Sequence, residues 1–450
     1  MSRLLPMLAH HNAEQVLAYR QHQPITARQF YADARALADR LPAQATVLNG
    51  CTDRYWFLVG LAAAMLRDHL SVLPHNHVPT TLAALRREFP DLVTLAGPAV
   101  EVPELPAITI DEQHTEPTAA NSKPLAFAAE QICACLFTSG STGEPAAYRR
   151  TWGMVVQSAT AAAERLGLHP QKPTTILATV PAQHSYGFES SVMLALVAGG
   201  AFCAERPFYP ADIVQSLHRL PRPSLLVTTP VHLRALIGAR LSLPPVDMLL
   251  SATALLPREL AQQAEEHFRA PLQEIYGATE TGQTASRRPV RESRWTPLSG
   301  VIFEEHDERC WARGSFIDGS VALSDYLDIG PDQRFRLIGR IADIVNVAGK
   351  RSSISHLNAQ LTAIPGVEDG VFLLAESADD LTRLSAFVVA PGLTRAQILE
   401  QLRPRVEPAF MPRPLIQLEV IPRDGTGKAT RRRLLDLLAA HGGAHRGESA

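Results

Sequence analysis

The run Ile132-Cys-Ala-Cys-Leu-Phe137 has the length and composition of a buried strand, and it breaks directly into Thr138-Ser-Gly-Ser-Thr-Gly-Glu-Pro145. Gly140 and Gly143 have no Cβ, so backbone N–H groups can turn toward one point, and Thr138, Ser139, Ser141 and Thr142 add short hydroxyl donors around an anion. Such a loop can hold phosphates. It is not a Walker A loop, since no Gly-Lys-Ser/Thr closes it. On this segment alone, an ordinary Gly/Ser surface turn fits equally well.

The flanking chain supplies a frame. Strand-like Ala45–Leu48, helical Tyr55–Arg67 and apolar Leu70–Leu73 follow in the βαβ rhythm of a parallel sheet. Upstream, the spacing of Phe30, Ala34, Leu37 and Leu41 predicts a helix entered at Thr26 and ended by Pro42. A further helix is expected over Thr80–Phe89. After the loop comes an alanine-rich helix, Trp152–Leu166, with Gly167 as its C-cap. Strand, turn and helix units follow from Thr175, Leu225 and Met248. Strands over 363–374 and 382–389 and a helix over 394–402 then predict a small α+β unit. The fold class is therefore α/β, with a large N-terminal domain of βαβ units over residues 1–340 and a small α+β C-terminal domain over 341–450.

At 450 residues with 46% hydrophobic content, the chain can bury more than one core. A formal net charge of -2 gives no general attraction to nucleic acid or anionic membrane. The longest apolar run, Trp56–Leu66, is too short to span a bilayer. Five cysteines without a CxxC pair fit reduced, buried thiols, and Cys133 and Cys135 share one face of the strand before the loop. The expectation is a soluble cytoplasmic protein with no nucleic-acid partner and no membrane span.

Further segments carry chemistry. Ile275-Tyr-Gly-Ala-Thr-Glu-Thr281 offers an aromatic face at Tyr276, close backbone approach at Gly277, a hydroxyl donor at Thr279 and a carboxylate at Glu280 suited to magnesium. Its bland counterpart is a strand-end turn with one exposed acid. Within Leu323–Arg340, Asp325 can accept two hydroxyls and Arg340 can donate to oxygen. Lys428, on the Gly-rich Ile421–Arg431 segment, can reach a site from a mobile domain, whereas Arg431–Arg433 read as a solvated tail. A lone His184 in Pro181-Ala-Gln-His-Ser-Tyr-Gly-Phe188 is usually a satisfied structural histidine.

Taken in order, these segments resemble the AMP-forming adenylating enzymes: acyl-CoA and aryl-CoA synthetases, nonribosomal adenylation domains and luciferases. The compact length and the Ala342-Asp-Ile-Val-Asn-Val-Ala-Gly-Lys-Arg351 hinge resemble the short bacterial acyl and aryl acid ligases. The resemblance implies that Thr138, Ser139, Gly140, Ser141, Thr142 and Gly143 hold ATP phosphates. It places adenine against Ala252, Thr253, Tyr276 and Gly277, and ribose at Asp325 and Arg340. Thr279, Glu280 and Lys428 become catalytic, with Glu280 the magnesium ligand. His184, Gly187, Ser251 and Ala278 border the acyl pocket, and Gly349, Lys350 and Arg351 line a pantetheine tunnel. The implied cofactors are ATP and magnesium, and the implied acceptor is CoA or a phosphopantetheinyl carrier protein.

The implied reaction adenylates a carboxylic acid, an aryl acid such as a hydroxybenzoate or a fatty acid, then transfers the acyl group to a thiol after the small domain swings. Two departures stand out. Ala146 follows Pro145 where the family usually has lysine, and Ala342 stands at the usual acidic or lysine hinge position. Arg149 or Arg150 is the candidate replacement cation. A catalytically silent nucleotide-binding regulator and an adenylating enzyme with a non-thiol acceptor are the competing readings.

Overall fold

The computed structural model describes residues 3–74, 77–97, 105–110, 112–137, 146–307, 309–341, 344–347, 350–375, 383–422 and 433–438. Two compact units emerge: one of residues 1–304, 311–321 and 331–334, the other of 305–310, 322–330 and 335–450.

The first unit is built on two sheets. In one, six strands run in the order Ala147–Thr151, Ile132–Phe137, Leu70–Leu73, Thr46–Asn49, Leu92–Ala96, Ala107–Thr109. All neighbours are parallel except Ala147–Thr151, which turns back antiparallel on Ile132–Phe137 and pairs Ala147 with Phe137. Residues 138–145 therefore connect the two strands of an edge hairpin.

The second sheet has nine strands, ordered Thr296–Pro297, Gly282–Arg287, Leu272–Ala278, Met248–Ser251, Ser224–Thr228, Thr175–Ala178, Ala201–Cys203, Val16–Arg20, Gln23–Thr26. Six of these, from Leu272–Ala278 to Val16–Arg20, are mutually parallel, with antiparallel strands at both ends. Buried parallel strands explain the near-continuous apolar runs in the sequence.

Helix ends follow side-chain caps. Thr26 accepts from the Gln29 amide at the start of Ala27–Arg40, and Thr151 accepts from Met154 at the start of Trp152–Leu166. Gly167 closes the latter at φ 68°, the left-handed conformation glycine adopts without a Cβ clash. The helix Arg54–Leu66 is buried on almost every face, as its all-round apolar sequence requires. No described helix is long and apolar enough to cross a membrane. All five cysteines are buried free thiols.

In the second unit, hairpins Asp325–Ile329/Phe335–Arg340 and Ile344–Val347/Lys350–Ser353 precede the helix Ile354–Thr362. A three-stranded sheet follows, with Asp369–Ala375 antiparallel to Arg383–Val389, which pairs in parallel with Leu415–Gln417. Leu357, Leu361, Phe372, Leu384, Ala386, Ile398 and Phe410 share its core. The strand expected over 363–374 is corrected here: it begins at Asp369, and the residues before it belong to the helix and its exit turn. Ser353 starts that helix by accepting from the His356 amide.

Candidate active site

Because Thr175–Ala178, Ser224–Thr228, Met248–Ser251 and Leu272–Ala278 are parallel neighbours, the turns that leave their C-terminal ends share one sheet edge. Those turns carry His184, Ser251–Thr253 and Tyr276–Glu280. An open parallel sheet binds ligands at this edge, where loops diverge.

Tyr186, which motif matching passes over, ties the turns together. Its hydroxyl lies 3.1 Å from the Thr228 carbonyl oxygen and 3.0 Å from that of Leu250, while the side chain is only partly buried. Burial, with the nearby Glu274 charge, pushes this phenol well above its ordinary pKa, so it stays a neutral donor. His184 is exposed beside it. Gly187 has a packing duty: a Cβ there would overlap the Pro181 carbonyl oxygen. Ser251 is fully buried, and its Oγ makes no hydrogen bond among the described residues. Ala252 is nearly buried. Thr253 is exposed at φ 79°, a strained conformation for a β-branched residue and one typical of ligand sites.

Buried Arg54 fixes the start of the 181–188 turn, the candidate acyl turn. Its Nη2 donates to the Val180 carbonyl at 2.8 Å, its Nη1 to Cys203 at 2.8 Å and its Nε to Ser191 Oγ at 2.9 Å. Burial lowers its pKa to about 10, so it remains charged at neutral pH.

The Tyr276–Thr281 segment is a hairpin. Gly277 pairs with Gln283 and Ala278 with Gly282, and Thr281 Oγ1 accepts from the Ala278 amide at 3.2 Å. A Cβ on Gly277 would overlap the Gly282 carbonyl, so its close approach is to its own partner strand. Tyr276 is largely buried with its ring 5.7 Å from Trp295. Ala278, Thr279 and Glu280 are half-buried at the tip. The Glu280 charge, after burial, raises the Tyr148 pKa, which places this tip beside the strand leaving residues 138–145. Glu280 forms no ion pair among the described residues, and they contain no cluster of three metal-ligating side chains. A single uncommitted carboxylate suits magnesium, which takes most of its oxygens from phosphate and water.

In the second unit, Asp325 and Arg340 are direct cross-strand partners. Gly339 precedes Arg340 at φ 144°, and a Cβ there would overlap the Ser353 side chain. Lys350 and Arg351 lie on the strand Lys350–Ser353. Thr138, Ser139, Gly140, Ser141, Thr142, Gly143, Ala342, Gly349 and Lys428 lie outside the described residues.

The two candidate replacement cations diverge. Arg149 is exposed opposite Cys135, two residues after the Ala147–Phe137 pair, whereas Arg150 is 2% exposed and turned into the interior. Burial pushes the Cys133 thiol up to about 12, despite the Arg150 charge, and Cys135 up to about 11, despite Arg149. Both thiols are packing groups.

The sequence pattern of the AMP-binding enzyme family matches residues 8–303. The chain belongs to this family. A 4-coumarate–CoA ligase of Rhodobacter capsulatus is 30% identical over 63% of this chain and 70% of its own length. A 3-hydroxybenzoate/4-hydroxybenzoate–CoA ligase of Thauera aromatica is 25% identical over 74% and 72%. Among solved structures, o-succinylbenzoate CoA synthetase of Bacillus subtilis with its acyl-adenylate superposes with a TM-score of 0.78 at 18% identity, covering 96% of this chain and 98% of that one. The two-domain adenylate-forming fold is thereby shown, and this AMP-binding enzyme is an AMP-forming acid–thiol ligase.

Proposed function

We propose that this AMP-binding enzyme activates an aryl carboxylic acid with ATP and passes the acyl group to the thiol of CoA. The observation that carries the choice of an aryl acid is Tyr186. Its hydroxyl is pinned to the carbonyls of Thr228 and Leu250, so its ring is a fixed flat wall at the sheet edge where His184, Ala252 and Thr279 also emerge. Relatives named for coumarate and hydroxybenzoate agree with a single-ring substrate.

In the first step the acid's carboxylate attacks the α-phosphorus of ATP and pyrophosphate leaves. Thr279 donates to the α-phosphate, and Lys428 stabilises the charge that develops there. Tyr276 and Ala252–Thr253 hold adenine, and Asp325 and Arg340 hold ribose. Glu280 would hold magnesium, which neutralises phosphate charge when bound. In the second step the thiolate attacks the acyl adenylate and AMP leaves. Gly349, Lys350 and Arg351 line the approach of the pantetheine arm. A carrier protein bearing the same arm is the alternative acceptor.

The test is pyrophosphate release from ATP and magnesium across benzoates, cinnamates and fatty acids of graded length, each with and without CoA or a holo carrier protein. Release with hydroxylated benzoates or cinnamates, and thioester only with CoA, is expected. Release with long fatty acids alone overturns the aryl assignment. ATP binding without release from any acid would overturn the ligase reading in favour of a silent regulator, the alternative that Ala146 and Ala342 suggest.

A further inference from the structure

Arg150 is a buried arginine whose Nε and Nη2 donate to no group among the described residues, and none of those residues supplies an acid within ion-pair distance. A guanidinium held this way is costly unless a charge nearby compensates it. The acid that shares its surroundings is Glu189, itself 2% exposed on the π-helical turn Phe188–Met193. The two meet over Gly282: the position a Cβ would take there lies 2.8 Å from Arg150 Nη2, 3.1 Å from Glu189 Oε2 and 3.3 Å from Ser158 Oγ. At φ 72° and with those side chains filling the space, any side chain at residue 282 would be strained and would displace them.

Glu189 is tied to the site on two sides. Its Oε2 accepts from the Gln283 amide at 2.9 Å and from Ser158 Oγ at 3.2 Å, and its Oε1 accepts from Ser185 Oγ at 3.0 Å. Ser185 lies between His184 and Tyr186, and Gln283 pairs with Gly277 at the base of the Thr279–Glu280 tip. Arg150 sits at the far end of the strand that pairs with Ile132–Phe137. Three strand and turn segments, each leading to a different part of the candidate site, therefore converge on one buried pair of opposite charges. π-Helical turns recur at functional sites, and this one directs Glu189 inward.

We propose that Arg150 and Glu189 are positioning residues: their charges, facing each other across Gly282, set the acyl turn and the Glu280 hairpin against the Ala147–Thr151 strand. Neither touches substrate. The inference rests on the AMP-forming activity for its kinetic readout but not for its structural one.

The experiment compares wild type with Arg150→Met, Arg150→Lys, Glu189→Gln and the double Arg150→Met/Glu189→Gln. Acid-dependent pyrophosphate release and hydrogen–deuterium exchange are read at a temperature where each is folded. Arg150→Met and Glu189→Gln each should lower kcat by about 100-fold, the effect of misplacing reacting groups by about 1 Å. The double variant should recover to within about 10-fold of wild type, because no lone charge is left buried. Arg150→Lys should fall between. Exchange should rise in 183–190 and 278–287 while 224–228 stays protected. Single variants within two-fold of wild type, losses that multiply in the double variant, or exchange that rises uniformly would each overturn the proposal. If wild type releases no pyrophosphate with any acid, the exchange pattern alone decides it. Should Arg150→Met not fold, Glu189→Gln, nearly isosteric, with its one oxygen accepting from the Gln283 amide and its NH2 donating to Ser185 Oγ, carries the same test.

Discussion

Asp325 and Arg340 face each other across one hairpin, fifteen positions apart in the chain yet paired at the same rung. The register puts residues of opposite charge at one rung, where cross-strand pairs whose side chains meet contribute about 0.2–1 kcal/mol. If both serve ribose, Asp325→Ala and Arg340→Ala should each raise the KM for ATP by about 10- to 100-fold, with kcat less affected. Their double variant should lose less than the product, because both contacts would go to one ribose. Initial rates at varied ATP check this; unchanged KM in either single variant removes that residue from the nucleotide site.

Tyr186 gives a prediction about substrate size. Tyr186→Phe removes a donor from two buried strand-end carbonyls, and should cost about 1–3 kcal/mol of stability while raising the KM for the acid. Tyr186→Ala should instead open the wall, shifting preference from single-ring acids toward bulkier or longer ones. A substrate panel run on both variants checks it. Unchanged preference in Tyr186→Ala would mean the ring does not border the acid.

Local signals in the sequence set much of this architecture. Thr26 caps the helix whose entry it was expected to mark, Thr151 and Thr394 cap two further expected helices, and Gly167 ends one in the left-handed region. The βαβ rhythm gave the parallel sheets because buried parallel strands are apolar throughout. The helix Ile354–Thr362 has only Ser353 to mark its start, and its apolar residues run on into those before the strand at Asp369, so its end carries no sequence signal. Roles set by tertiary contact were not legible. Gly187 and Gly277 announce close approach, but sequence does not say whether a ligand or the chain's own carbonyl approaches. The π-helical turn that points Glu189 inward has no sequence mark, and the opposite fates of Arg149 and Arg150 follow only from which face of the strand pairs with the interior.

His10 makes the stability of the first unit pH-dependent. Burial lowers its pKa from the ordinary 6.5 to about 4, so the folded chain holds it neutral while the unfolded chain protonates it first. The unfolded state therefore binds more protons between pH 6.5 and 4, and stability falls as pH drops through that window. At 1.36 kcal/mol per pKa unit, the loss is roughly 3 kcal/mol. His10→Gln, which cannot take up the proton, should flatten the denaturation midpoint over this range. An equal slope in variant and wild type would exclude His10 as its source.

Arg149 is the residue on which the missing loop lysine turns. Ala146 has no charge to offer ATP, and Arg150 is committed to the interior beside Gly282. Arg149 is exposed and lies two residues from the rung at which the hairpin closes, about 7 Å along a strand, within the reach of an extended arginine. Arg149→Ala should therefore raise the KM for ATP about 10-fold or more while leaving the KM for the acid within two-fold, since the lost contact is to phosphate alone. Ala146→Lys in that background should restore ATP affinity if a cation near the loop is all that is required. The melting temperature should not move in either variant, because an exposed arginine contributes little to folding. An ATP KM unchanged by Arg149→Ala would mean that this enzyme binds its nucleotide without a cation from this strand.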